Sequence, residues 1–182
     1  MMKRILFVAM LFASTTLFAQ KDTVGLNIPF KDQKIVYEGV VEVPNKTKLE
    51  LDVSAMKFLS FNFNDIGESM QNKNEEEVVD KGTLTTTITG RMGTPWNFKN
   101  KMTVKIDFKD NKYSYQIFDI TTSLPDGNID VTPIETAYSS LISGKWVINK
   151  KFTKSLLVNL NADINAFIGK LKEAMNSKKE SF

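Results

Sequence analysis

Oxygen-bearing side chains at alternate positions are the first residues whose spacing could support chemistry. Asp126, Asn128 and Asp130 follow the order that opens a calcium-binding EF-hand loop. That loop also needs a glycine at its sixth position and a glutamate at its twelfth, and Val131 and Ala137 stand there instead. The pattern therefore indicates a polar turn rather than a calcium site, and the sequence predicts no metal-binding residue.

A pair of carboxylates, Glu38 and Glu42, lies four residues apart in an alternating segment. Both would project from the same face of a strand, because successive side chains of a strand point to opposite faces. Paired carboxylates are the catalytic groups of glycoside hydrolases. The polar side of an amphipathic strand has the same pattern, and the sequence favours that interpretation. We therefore predict no catalytic residue.

Histidine and cysteine are both absent from the 182 residues. This composition excludes Ser-His-Asp and Cys-His catalysis, thiolate nucleophiles, disulfides, and metals that histidine or cysteine would bind. The sequence contains no recognisable cofactor motif, so we expect no cofactor and a protein that is not an enzyme. A hydrolase that uses only carboxylates or a Ser-Lys pair is the enzymatic class left open.

The two tryptophans, Trp96 and Trp146, are candidate contacts for a ligand or partner, because an indole ring can line a pocket while its polar edge stays wet. Such residues also fill a core or brace a loop. A basic cluster surrounds the second tryptophan and could contact an anionic lipid or glycan, or could simply be a solvated connection. Its members are Lys145, Lys150, Lys151 and Lys154.

The N-terminus predicts an exported protein. Lys3 and Arg4 precede a short apolar run, and residues 1–19 are predicted to be a signal peptide cleaved near Ala19-Gln20. The apolar run is much shorter than the roughly 20 residues of a membrane-spanning helix. We expect a mature chain without a spanning segment, located in the periplasm or outside the cell.

Export would also change the charge. Removal of residues 1–19 takes away two positive charges, those of Lys3 and Arg4, so the formal net charge of +3 becomes +1. A protein that binds nucleic acid electrostatically needs a dense basic face, and a nearly neutral chain does not predict one. The partners that we expect are a protein, a glycan or a small apolar ligand, and not nucleic acid.

Two ranges set the predicted domain organisation. Residues 20–33 show no sustained period and contain Pro29, which predicts an extended lead-in. Residues 34–177 are predicted to form a single α+β domain. It begins with residues 35–43, where apolar side chains alternate as in a strand with one buried face, and Pro44 ends that strand.

A helix is predicted next. Thr47, followed three residues later by Glu50, is a capping-box signature, in which the hydroxyl and the carboxylate each accept a hydrogen bond from a backbone donor at a helix start. Apolar residues then recur at helical spacing up to about Phe61. They are Leu51, Ala55, Phe58, Leu59 and Phe63.

The middle of the chain predicts strands. Residues 78–92 are rich in Val, Thr and Ile, which indicates one or two strands bent at Gly82. The alternation from residue 102 to 119, with Asp110-Asn111 between its halves, predicts a β-hairpin. Its inner side chains are predicted to be Met102, Val104, Ile106, Phe108, Tyr113, Tyr115, Ile117 and Asp119. Its outer side chains, predicted to lie in solvent, include Thr103, Lys105 and Asp107.

The last predicted element is a long amphipathic helix over residues 152–177, whose apolar side chains recur every three or four residues. Residues 134–151 are ambiguous between helix and strand. A sheet with one apolar face needs a cover, and two apolar-striped helices are available. We therefore predict a two-layer α+β sandwich, with an antiparallel sheet of about five strands covered on one face by two helices, in the order strand-helix-four strands-helix.

Residues 36–122 resemble a known family, the exported bacterial domain of unknown function numbered 4468, which has a TBP-like fold. The matching residues are Tyr37 and Gly39 in the first strand, Glu50 and Leu51 at the helix start, and Lys109, Asp110, Tyr113 and Tyr115 around the hairpin turn. The resemblance implies the order of elements given above. It brings no catalytic residue, because none is established for the family, and the fold name does not imply DNA binding.

The sequence favours a non-enzymatic binding or interaction module of the envelope or the extracellular space, which engages a protein or glycan through its free sheet face or an edge strand. The alternative is a carrier of a small hydrophobic ligand, with a cavity between the C-terminal helix and the sheet. A solid core between that helix and the sheet would weigh against the carrier.

Overall fold

The computed structural model describes residues 26–63, 72–73, 76–123, 131–144 and 149–177. Several sequence predictions lie outside the described residues. They are the signal peptide, the turn with Asp126, Asn128 and Asp130, and the side chains of Lys145 and Trp146.

The described chain contains eight strands and three α-helices. The strands are β1 (Phe30–Lys31), β2 (Lys34–Ile35), β3 (Tyr37–Glu42), β4 (Asn72–Lys73), β5 (Glu77–Thr89), β6 (Pro95–Lys109), β7 (Lys112–Ser123) and β8 (Thr132–Pro133). The helices are α1 (Lys48–Asn62), α2 (Ile134–Ser143) and α3 (Lys150–Asn176), and a 3₁₀ turn at Arg91–Gly93 joins β5 to β6.

The main sheet is antiparallel, with the strand order β3-β7-β6-β5-β4, and β8 pairs with the end of β7. Strands β5 and β6 pair without a register break from Glu77 opposite Asp107 to Thr89 opposite Pro95. Of the one or two strands predicted here, the structure has one, which runs past Gly82 without a break. Glycine is needed there for space, because a Cβ atom on Gly82 would lie 2.0 Å from Cδ1 of Phe63.

The predicted capping box at the start of α1 is confirmed. The Thr47 hydroxyl oxygen accepts a hydrogen bond from the Glu50 N–H, and the Glu50 carboxylate accepts one from the Thr47 N–H at 3.0 Å. The β6–β7 turn adds a further acceptor, since Oδ1 of Asp110 accepts from the Lys48 N–H at 2.8 Å. Asn111, in the same turn, has a left-handed backbone (φ 64°), which asparagine adopts more readily than most residues. The hairpin turn and the helix start thus stabilise each other.

Two predictions about the hairpin faces are wrong. Asp119 is exposed with φ 51°, and Ile120 takes the inward position. The β6–β7 register shifts by one residue here, and such a bulge reverses the alternation beyond it. Thr103 on the outer face is buried, because Phe118 and Lys81 flank it in the neighbouring strands.

Helices α1 and α3 cover one face of the sheet, and their shared core is rich in phenylalanine. Phe167 of α3 lies 5.1 Å from Phe58 and 5.4 Å from Phe63, measured between ring centroids. At the C-terminal end of α3, Nζ of Lys46 donates to the carbonyl oxygen of Met175 at 2.6 Å. These contacts hold both helices against the same sheet face.

The predicted α+β class and five-stranded antiparallel sheet are confirmed, and the structure adds a third helix. Helix α2 buries Ile134, Tyr138 and Leu141, and the Tyr138 ring contacts Phe30 at 4.8 Å. Leu26 is also buried. The C-terminal part of the predicted lead-in therefore packs on the domain, because α2 gives its apolar side chains a surface.

Candidate functional site

The sheet surface opposite the helices, called the open face, is the broadest exposed feature of β5 and β6. Its outward side chains along these strands are mostly Thr and Lys, and most of them are exposed. Beyond the Glu77 end, they include Lys81, Thr83, Thr85, Thr87 and Thr89 on β5, and Asn97, Lys99 and Lys101 on β6. Register places Lys101 opposite Thr83 and Lys99 opposite Thr85, so each ammonium group has a hydroxyl group as its cross-strand neighbour.

Charge divides the open face into two parts. Towards the Glu77 end of β5, Nζ of Lys105 lies 2.7 Å from the Glu77 carboxylate and 3.3 Å from that of Asp107. The hydrogen bonds that Lys105 donates to these two carboxylates raise its pKa. Towards the other end, Lys81, Lys99 and Lys101 have no carboxylate partner among the described residues. We call these three lysines and the threonines beside them the basic half.

The paired carboxylates of β3 have the geometry of an exposed strand face. Glu38 and Glu42 are both exposed, and Oε2 of Glu38 accepts a hydrogen bond from Nε2 of Gln116 at 3.2 Å. In the β3–β7 register, Glu42 stands opposite Lys112. The pair therefore has the arrangement expected for the polar side of an amphipathic strand.

A cleft of about 870 Å³ opens at the edge of the sheet, between the β1–β2 hairpin and strands β3 and β7. Its apolar lining includes Phe30, Ile35 and Phe118, and α2 and α3 contribute Glu135 and Asn165. Oε1 of Glu135 already accepts a hydrogen bond from the Ile35 N–H at 3.2 Å. The cleft is large enough to hold a small molecule.

Tyr37 lies beside this cleft with its hydroxyl turned to α3. The hydroxyl donates to Oδ1 of Asn161 at 2.9 Å, and burial raises the pKa of Tyr37 far above its usual value. A tyrosine in this environment stays protonated near neutral pH. It therefore acts as a structural hydrogen-bond donor.

Beneath α3, where the sequence predicts a carrier cavity, the side chains of the helix that face the domain are buried. Five residues of α3 that face the sheet and α1 are at most 5% exposed. They are Leu157, Leu160, Ile164, Phe167 and Leu171. The edge cleft touches α3 only through Asn165 and Ile168.

A buried polar cluster beneath α3 was not predicted. Nδ2 of Asn100 donates to the Thr86 hydroxyl oxygen at 3.0 Å, and the Thr86 hydroxyl donates to Asp163 at 2.6 Å. Oδ1 of Asn100 and the hydroxyl of Thr122, its cross-strand neighbour, have no hydrogen-bond partner in the described part of the chain. One feature of the sequence could have indicated this cluster. Asn100 is two residues before Met102 and therefore lies on the same, inward-facing side of the strand.

Trp96 lies at the end of the sheet, where the β5–β6 hairpin meets the start of α3. Its ring is edge-on to Phe152 at 5.9 Å, and a Cβ atom on Gly90 would lie 2.6 Å from its Nε1. The side chain is 42% exposed. A groove of about 390 Å³, lined by Gly90, Lys151 and Phe152 among others, lies beside it. Trp96 thus braces the hairpin and keeps one edge in solvent.

No family model matches this sequence, and no curated protein matches it. Two solved structures do. A TBP-like protein from Parabacteroides distasonis ATCC 8503 has a TM-score of 0.67 and 17% sequence identity, covering 84% of this chain and 99% of that one. A DUF4468 family protein from Bacteroides ovatus ATCC 8483 has a TM-score of 0.63 and 12% identity, covering 90% and 99%. The chain has a TBP-like fold.

The TBP-like fold agrees with the resemblance inferred from the sequence, and the two similar structures indicate no enzyme family. At such low identity the likeness concerns the fold. Among the described residues, no group of three or more Asp or Glu side chains could hold a metal ion. No helix in the same ranges is long and apolar enough to cross a membrane.

Proposed function

We propose that this TBP-like protein is an exported, non-enzymatic binding module whose open face holds an anionic polysaccharide. The observation that supports this proposal is the basic half, where Lys81, Lys99 and Lys101 lack carboxylate partners among the described residues. Unpaired ammonium groups on a rigid sheet attract anions without a cost for breaking internal ion pairs.

The sheet geometry fixes the spacing of these charges. Lys99 and Lys101 are two residues apart on β6, so their Cα atoms are separated by about 6.8 Å. Lys81 is opposite Thr103 and is therefore a diagonal neighbour of Lys101, at about 7–8 Å. An extended chain that carries repeated carboxylate or sulfate groups could contact several of these lysines at once. Its sugar hydroxyls would find hydrogen-bond partners in the threonines between them.

The chemistry of the basic half favours a polysaccharide over a protein. Energetically dominant residues of protein interfaces are enriched in Trp, Tyr and Arg. The outward residues of the basic half are lysines and threonines. A polyanion needs no apolar anchor, because charge-assisted hydrogen bonds and electrostatic attraction supply its affinity.

Binding of polygalacturonate to the mature chain tests the proposal, with uncharged dextran as the control polymer. Lys81→Gln/Lys101→Gln removes two charges from the basic half, and Lys109→Gln/Lys112→Gln removes two from the far end of the same sheet. We expect the first variant to bind at least tenfold more weakly and with a smaller salt dependence, while the second binds like wild type. Equal effects of the two variants, or no binding by wild type, would overturn the proposal.

The edge cleft supports a second candidate function, that of a carrier for a small apolar ligand. Its volume of about 870 Å³ and its lining by Phe30, Ile35 and Phe118 suit such a molecule. Native mass spectrometry of the mature protein purified from its own envelope fraction, beside a denatured control, tests this. A small molecule that is released on denaturation would favour the carrier, and a bare mass would favour the binding module.

A further inference from the structure

The turn between β5 and β6 carries a methionine in an unfavourable position. Met92 is 98% exposed, so its apolar side chain gains nothing from packing within the chain. Its backbone is left-handed, with φ 61° and ψ 23°, a region that glycine and asparagine adopt more readily than methionine does. Neither local conformation nor internal packing favours a methionine here, so its exposed side chain is available for a contact outside the chain.

The neighbours of Met92 extend the apolar character of this turn. Trp96 exposes 42% of its surface, and its ring is held against Phe152 at 5.9 Å. The Gly90 N–H donates to the Thr94 carbonyl at 2.7 Å and closes the turn. We call Gly90 to Trp96 the hairpin tip. Its aromatic base is packed in place, so the hairpin tip carries Met92 at its turn and the exposed edge of Trp96 at its base.

Positive charge lies next to the hairpin tip. Lys151, in the first turn of α3, is exposed and lines the same groove as Gly90 and Phe152. A projecting apolar group with a cation behind it matches the interface of a lipid bilayer. Apolar and aromatic side chains there enter the headgroup region to about 5–10 Å, and lysines meet anionic lipids.

We infer that the hairpin tip docks on an anionic lipid surface, with Met92 and the edge of Trp96 inserted among the headgroups. A lipid surface fits better than a protein partner, because one methionine and part of one tryptophan fall far short of the roughly 800 Å² that each side of a stable protein interface buries. This inference concerns a surface separate from the basic half and does not depend on the polysaccharide proposal.

Two substitutions at the same position test the lipid contact. Met92→Asn suits the left-handed backbone and removes the apolar group, whereas Met92→Leu keeps an apolar group in the same backbone. The mature chain is sedimented with phosphatidylcholine vesicles that contain phosphatidylglycerol, and with vesicles of phosphatidylcholine alone. We expect Met92→Asn to melt at the wild-type temperature or above and to bind the anionic vesicles about tenfold more weakly, as loss of a buried methionine predicts.

Met92→Leu should bind like wild type, and neutral vesicles should bind every variant weakly. The fluorescence of Trp96, isolated in a Trp146→Phe background, should shift to shorter wavelength with anionic vesicles and be quenched by brominated lipid. Unchanged binding by Met92→Asn, equal binding to both vesicle types, or no binding by wild type would overturn the inference.

Discussion

Gly82→Ala tests whether the Phe63 ring must lie flat on strand β5. An alanine Cβ atom would be 2.0 Å from Cδ1 of Phe63, whereas ordinary contacts begin at 3.4 Å. The ring would have to move by about 1.4 Å. It is 2% exposed and stacks on Phe167 at 5.4 Å, so it has little room to move.

The expected cost follows from two opposing effects. Overpacking of a filled core costs about 1–3 kcal/mol, and the trapped ring places this site at about 2–3 kcal/mol. Alanine also lowers the conformational entropy of the unfolded chain. Where the native backbone suits alanine, this effect stabilises the folded state by about 0.4–1 kcal/mol. The free energy of unfolding should therefore fall by about 1–2.5 kcal/mol. For a domain of this size the melting temperature should fall by about 2–10 °C.

Urea and thermal unfolding of residues 20–182 measure this change, and a second glycine gives the control. Gly169 in α3 has no atom within 4 Å of its Cβ position, so Gly169→Ala should stabilise the helix by about 0.5–1 kcal/mol. Adding Phe63→Leu should recover part of the stability that Gly82→Ala loses. The steric explanation is refuted if Gly82→Ala stays within about 0.5 kcal/mol of wild type, or if Phe63→Leu costs the same in both backgrounds.

Three further predictions concern hydrogen bonding and pH. Burial raises the pKa of Tyr113 to about 12, from about 10 in the unfolded chain, so its contribution to stability is complete below pH 10 and is lost as the pH rises towards 12. Tyr113→Phe should reduce the loss of stability at alkaline pH in unfolding curves. It should not change the free energy of unfolding at pH 7, because the Tyr113 hydroxyl has no hydrogen-bond partner among the described residues. A large loss of stability at pH 7 would contradict this. Thr47→Ala should lower the free energy of unfolding by about 1 kcal/mol through loss of the helix cap, with Thr47→Ser close to wild type. Thr86→Val removes the partner of both Asp163 and Asn100 and should cost about 1–3 kcal/mol, whereas the exposed Thr85→Val should change urea unfolding little.

The features that could be predicted from the sequence are those set by near neighbours in the chain. The capping box of Thr47 and Glu50 spans one helical turn, and the turn at Asp110-Asn111 needs only a residue that tolerates a left-handed backbone. In both cases the side chain and the backbone group that it serves are close in sequence. Local chemistry therefore specifies the outcome without knowledge of the rest of the fold.

The features that could not be predicted depend on distant contacts. Asp119 continued the alternation of its strand, but the bulge that turns it outward is defined only by pairing with β6. The segment that forms α2 was ambiguous in sequence because its apolar side chains pack on a distant part of the chain. Tyr138 contacts Phe30, which is more than one hundred residues away. The hydrophobic periodicity of a short stretch of sequence predicts neither the register between strands nor the contact between distant aromatic rings.

The candidate site shows the same division. The sequence drew attention to four lysines close together in the chain, of which Lys145 lies outside the described residues. The basic half arises instead because β5–β6 pairing makes Lys81 a diagonal neighbour of Lys101, twenty residues later. A run of like charges in sequence is therefore a poor guide to charge density on a sheet. Cross-strand register decides which lysines meet and which, like Lys105, are neutralised by carboxylates.

The basic half and the hairpin tip share strands β5 and β6, yet their functions can be separated by crossing the variants. Lys81→Gln/Lys101→Gln leaves Met92 and Trp96 untouched, so it should lose polygalacturonate binding and keep binding to anionic vesicles. Met92→Asn should show the opposite pattern, because it changes no charge. If either variant lost both activities, a single anion-binding surface would explain the data better, since negative headgroups and polygalacturonate would then compete for the same lysines.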